Sequence, residues 1–117
     1  METMNYEDCP VTAALEVIGG RWKPVILFQL REGAVRFGAL RRIVPRITQK
    51  MLTQQLRELE NDGIVNRKVH AVVPPHVEYS LTPYGESLKP LLKSLCDWGK
   101  RHRARAVRQS RPSKNVP

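Results

Sequence analysis

The stretch RFGALRRIVPRITQKMLTQQLRELENDG, residues 36–63, decides the fold. It holds two helical patterns separated only by Pro45 to Ile47. Pro45 stops the first pattern, because proline has no amide hydrogen to donate and restricts the residue before it. So short a connection between two helices is what a helix-turn-helix requires. In the first pattern, Arg36 to Val44, the residues Phe37, Leu40 and either Ile43 or Val44 share a core side, with Arg41 and Arg42 outside. The second opens at Thr48, whose hydroxyl can accept from an otherwise unpartnered first-turn amide. Its Leu52, Leu56 and Leu59 recur at i, i+4, i+7 and so face a core. Lys50, Thr53, Gln54 and Arg57 take the other side. Those types suit a DNA major groove: Lys and Arg for guanine edges or phosphates, Gln for adenine, Thr for a thymine methyl or a phosphate.

A polar helix face turned to water is common and needs no ligand, so charge has to decide. From Gly33 to Arg57 there are six basic residues, Arg36, Arg41, Arg42, Arg46, Lys50 and Arg57, and no acid. Ordinary surfaces intersperse both signs. Acids return at Glu58, Glu60 and Asp62, at the helix end expected to lie away from phosphates.

Working outward, Pro10 suits the first position of a helix in which Ala13, Ala14, Val17 and Ile18 supply the apolar side, stopped by Gly19-Gly20. Pro24 starts a second helix, KPVILFQLREG, almost wholly apolar and hence central, which Gly33 ends. After Gly63 the period falls to two: Val65, Arg67, Val69 and Ala71, then Val77, Tyr79 and Leu81 beyond Pro74-Pro75. That is a hairpin with the prolines in its loop, and Arg67, Lys68, His70 and His76 make it a basic wing. Thr82-Pro83 caps a long last helix with Tyr84, Leu88, Leu91, Leu92, Leu95 and Trp98 along one apolar side. The fold class is α+β, mostly helical: a winged helix-turn-helix with a two-stranded wing and helices at both ends.

The length of 117 residues implies one domain, expected over residues 1–106. The net charge is +9, but residues 98–117 hold seven basic groups and no acid, leaving +2 for the rest. Residues 107–117 are too polar to repay the entropy of folding and are expected to form a disordered basic tail. No apolar run reaches 18 residues and METMNYEDCP is unlike a signal peptide, so a cytoplasmic protein with no membrane partner is expected. Cys9 and Cys96 give neither a disulfide framework nor a metal pattern, the three histidines add no metal spacing, and no metal or cofactor is expected. Paired catalytic carboxylates, a phosphate-cradling glycine loop and a nucleophile with a histidine partner are all missing, so the chain does not read as an enzyme.

Three segments, CPVTAALEVIGGRWKPVILFQL, RFGALRRIVPRITQKMLTQQLRELENDGIVNRKV and PPHVEYSLTPYGESL, resemble in order and spacing the HxlR family of bacterial winged helix-turn-helix transcriptional regulators, relatives of the MarR type. The resemblance runs from Cys9 to Trp98. It implies a homodimer on double-stranded operator DNA, acting as a repressor, with the Thr48–Asp62 helix in the major groove and the Arg67–His76 wing beside it. Pairing through the first and last helices falls on Val11, Leu15, Leu88, Leu91, Leu92, Leu95 and Trp98. Two-fold symmetry then calls for an inverted repeat with half-sites about one turn, ~34 Å, apart. Gln49, Lys50, Thr53 and Gln54 are assigned to base edges, Arg42, Arg46, Thr48 and Arg57 to phosphates, and Arg67, Lys68 and His70 to the wing's contacts. Several family members sense oxidants, quinones or aldehydes through a cysteine at the start of the CPV segment, which falls here on Cys9, at a helix start that favours an anionic sulfur. An oxidant or small-molecule effector is thus implied, while Cys96 reads as a packing residue. The competing class is an RNA-binding or protein-interaction winged helix without operator specificity, since fold does not fix function. A wing without aromatic stacking residues argues against single-stranded RNA.

Overall fold

In a computed structural model that describes residues 8–113, Pro10 opens α1 (Pro10–Ile18) at a first-turn position where its missing amide costs nothing. Only Ile18 of this helix is buried; Ala13 and Ala14 lie exposed. α2 (Lys23–Gln29) sinks Ile26 and Leu27 completely. The sequence pattern extends α2 towards Gly33, but the chain tightens after Gln29 into i→i+3 turns, with the Leu30, Arg31 and Gly33 amides donating to the Leu27, Phe28 and Leu30 carbonyls.

A strand the periodicity did not reveal follows: β1 (Val35–Arg36). Arg36 is therefore extended, and α3 (Phe37–Ile43) begins one residue later. Leu40 and Val44 are fully buried while Ile43 is exposed, so the core position after Leu40 belongs to Val44. Thr48 caps α4 (Gln49–Asn61), its Oγ1 accepting from the Met51 amide at 3.1 Å. Leu52, Leu56 and Leu59 have no exposed surface, and α2 packs against both α3 and α4 over this apolar stripe. Burying each such leucine contributes roughly 1.5–3 kcal/mol.

Gly63, at φ 75, supplies the left-handed residue that turns the chain from α4 into β2 (Val65–His70). β2 pairs antiparallel with β3 (His76–Leu81) in the register Val65↔Leu81 to His70↔His76, and β1 adds on the other side of β3 through Val35↔Tyr79 and Arg36↔Glu78. The sheet is thus three-stranded, order β1-β3-β2, with the two-stranded wing as its longer part. Tyr79 and Leu81 are buried, and Phe37 of α3 packs on the Tyr79 ring, centroids 6.5 Å apart. In β2 only Val65 is buried, and Val69 is exposed.

Thr82 does more than cap. Its Oγ1 donates to the Gly63 carbonyl at 2.6 Å and accepts from the Gly85 amide at 2.8 Å, while its own amide donates to the Ile64 carbonyl at 3.0 Å. These bonds fasten the end of the wing to the turn before it. Gly85 completes the fastening, since a Cβ there would run into the Ile64 carbonyl.

The single long last helix expected from Thr82 is two helices: α5 (Pro83–Glu86) and α6 (Lys89–Ser113). Pro90 is the cause, because it cannot donate to the carbonyl four residues back and its ring would clash there. Tyr84 accordingly belongs to α5 and is exposed, not part of the long helix's apolar side. The described residues divide into two compact units at Ser87/Leu88. α6 runs past Val107, the start of the basic tail, to Ser113. Residues 114–117 of that tail lie outside the described residues. No helix among the described residues is long and apolar enough to cross a membrane.

Candidate nucleic-acid interface

The outer face of α4 borders a groove of about 540 Å³ lined by Gln49, Lys50, Thr53, Gln54 and Arg57. These are the four residues assigned to base edges together with one assigned to phosphate. They stand where they do because the leucines on the opposite face are locked into the core, which fixes the rotation of the helix.

Thr53 and Arg57 also line a larger cleft of about 850 Å³, bounded by α3, α4 and the wing. Four guanidinium-bearing residues enter its lining, Arg36, Arg42, Arg57 and Arg67, and Glu60 is the acid among them. Four fixed positive charges in one concave wall concentrate field lines and attract a polyanion. Arg36 was absent from the sequence-assigned set. Its signal was present in the acid-free run, but a start-of-helix placement pointed it elsewhere; as the β1 residue opposite Glu78, it stands at the cleft.

Arg46 occupies the turn between α3 and α4, exposed and with φ 66. A left-handed conformation costs a non-glycine residue roughly 1–2 kcal/mol, so the turn holds an arginine where glycine would be more comfortable. Thr48 is exposed at the positive end of α4, its hydroxyl oxygen already accepting one backbone bond.

Gln54 Nε2 donates to Glu58 Oε2 at 3.3 Å. Glu58 is also held by Lys23 of α2, Nζ to Oε1 2.6 Å, with the lysine side chain only 11% exposed. The hydrogen bonds from Lys23 and then Gln54, reinforced by the lysine charge, hold the Glu58 carboxyl below its ordinary range. The stability this pair contributes is therefore complete above the ordinary carboxylate range and is lost as pH falls through the lowered value. His70 Nε2 lies 2.9 Å from Glu78 Oε1, and its ring stacks on His76 with centroids 4.5 Å apart. Lys68 is exposed and faces Glu78 across the ladder. Neither Lys68 nor His70 lines the cleft, whereas His76 does. Glu78 is the wing residue the sequence did not single out; alone among basic neighbours, its partner could be found only from the strand register.

Cys9 is the N-cap of α1, half-buried, its carbonyl accepting from the Thr12 and Ala13 amides at 2.9 and 3.3 Å. Cys96 is half-buried on α6, and both thiols are free. Of the residues assigned to pairing, Val11 is 62% exposed and Leu15 stands exposed one turn on. On α6, Leu91, Leu95 and Trp98 (60%) are exposed at i, i+4, i+7 spacing. Leu92 is 3% exposed and Leu88 is half-buried.

A short connection between α3 and α4, a polar reading face and a sheet flanking it define a winged helix-turn-helix. The chain belongs to the HxlR-like helix-turn-helix family, whose model matches residues 17–107. It is similar to the HTH-type transcriptional regulator YtcD of Bacillus subtilis, 57% identical over 102 residues that cover 87% of this chain and 80% of the relative. YdeP of the same organism, likewise described as an HTH-type transcriptional regulator, is 48% identical over 101 residues, covering 86% and 79%. Among solved structures, the redox regulator HypR in its oxidised form superposes with a TM-score of 0.77 at 53% identity, covering 80% of this chain and 96% of that one. The chain is thus a helix-turn-helix transcriptional regulator.

Proposed function

We propose that two copies of the chain bind one duplex operator of inverted-repeat sequence and repress transcription by occupying it. The carrying observation is that the α4 groove and the arginine cleft meet at Thr53 and Arg57. Polar base-reading groups thereby sit beside charges able to hold the backbone. Base contacts specify and phosphate contacts position, and this surface supplies both. The exposed apolar residues Val11 and Leu15 of α1, and Leu91, Leu95 and Trp98 of α6, support pairing of two copies. Gln54→Ala should cost about 1–3 kcal/mol on the operator and relax the preference at one base position, with little loss on random duplex. Equal loss on both would remove Gln54 from base reading.

A second reading concerns the signal. HypR is a redox regulator by description, and Cys9 sits half-buried at the start of α1, the helix whose Val11 and Leu15 are proposed to pair. Thiol oxidation there would disturb the pairing helix and release the operator. Diamide, a thiol oxidant, should then lower operator affinity in the wild-type protein and leave Cys9→Ser unaffected; an equal response in both refutes sensing by Cys9.

A further inference from the structure

The wing carries a cluster of potential metal-ligating side chains. His70 and His76 are the last cross-strand pair of the β2–β3 ladder, and Glu78 follows His76 by two residues, so all three project from one side of the hairpin. That side is opposite the one on which Tyr79 and Leu81 are buried. One ligand atom from each of the three residues lies within 4.8 Å of the others. All three are half-buried, which limits competition from water without closing access. We infer that His70, His76 and Glu78 form a three-ligand site for a zinc-class divalent cation.

The donor set is the first argument. Two imidazoles and one carboxylate suit Zn²⁺, with related borderline ions such as Co²⁺ and Ni²⁺ able to substitute. The backbone is the second. Directly paired residues of an antiparallel ladder have Cβ atoms ~4.5–5.5 Å apart, and tetrahedral ligands at ~2.0–2.1 Å from zinc stand about 3.3 Å from one another. Side-chain rotation can close the difference without moving the strands. Three protein ligands leave a fourth position for water, the arrangement of an open site.

Binding would join the two strands next to the Ala71–Pro75 loop and place a dication at the rim of the arginine cleft, since His76 also lines that cleft. The charge should then raise duplex affinity several-fold at fixed salt. This consequence, unlike the site itself, rests on the DNA-binding reading.

The test uses the full-length chain with Cys9→Ser and Cys96→Ser, which removes thiolate competition, titrated with Zn²⁺ by calorimetry and with Co²⁺ by visible absorption. One ion per chain is expected, with His70→Ala, His76→Ala and Glu78→Gln each weakening binding more than about tenfold and His102→Ala leaving it unchanged. Glu78→Gln keeps the side chain's shape, and an unaltered circular dichroism spectrum and zinc-free Tm will show that its loss of binding is not loss of fold. Absence of saturable uptake, or uptake indifferent to all three replacements, overturns the site. Anisotropy of a labelled duplex with and without Zn²⁺ separates the two readings. Duplex binding without zinc uptake overturns the site alone; zinc uptake at these ligands with no duplex binding in either condition overturns the DNA reading alone. Duplex affinity that rises equally in the Glu78→Gln variant overturns the coupling.

Discussion

Replacing Arg57 and Arg67 together by alanine should weaken binding to every duplex about a hundredfold at fixed salt, whatever its sequence. Arg57 comes from α4 and Arg67 from β2, and both reach the cleft from exposed positions. Neither is needed to fill the core, so the fold should survive their loss. A hydrogen bond to a charged group contributes roughly 1.5–3 kcal/mol, and two at the lower value give about a hundredfold. Each phosphate contact also releases condensed counterions, with a slope of about 0.9 in log K against log salt. The double variant should therefore lose about 1.8 from that slope. Titrations of an operator and a scrambled duplex across a salt series check both numbers; an unchanged slope would mean that the cleft does not hold phosphates.

Leu56→Ala should destabilise the protein by about 2–5 kcal/mol. Leu56 is fully buried at the middle of the α4 stripe, and truncation removes its transfer free energy and leaves a cavity that neighbours fill only partly. For a chain near 100 residues each kcal/mol shifts Tm by about 4–8 °C, so a fall of 10 °C or more is expected. Because the same helix presents Gln49, Lys50 and Gln54 outward, duplex binding should vanish at temperatures where the wild type still binds. Lys50→Ala, on the exposed face, should leave Tm nearly unchanged while weakening binding. Thermal melts of the two variants, run beside their duplex titrations, test this division of labour; a Leu56→Ala protein that melts within a few degrees of wild type would contradict the assigned rotation of α4.

That rotation was legible in the residues because it rests on periodicity. Leu52, Leu56 and Leu59 recur at helical spacing, and their burial places Lys50, Gln54 and Arg57 outside by geometry alone. The α3–α4 turn, the Thr48 cap and the hairpin with prolines in its loop follow from equally local rules. What escaped is long-range. β1 is two residues long, too short to show a period, and exists because β3 offers an unpaired edge. Lys23 meets Glu58 across 35 positions of chain, and Thr82 meets Gly63 across 19, distances at which no spacing rule applies. The break before α6 was readable in principle from Pro90, but the continuous apolar spacing of Leu88 to Trp98 outweighed it. The wing shows the same limit. His70, His76 and Glu78 form no familiar ligand spacing along the chain, and only the ladder register brings them together.

The central claim is that two copies of the chain read a symmetric duplex site through α4. Enrichment of bound sequences from a randomised duplex library, at near-physiological salt, tests it most directly. An inverted repeat should emerge, with half-sites about one helical turn apart and two chains on each duplex. Sequences without symmetry, or no enrichment over the starting library, would contradict the claim.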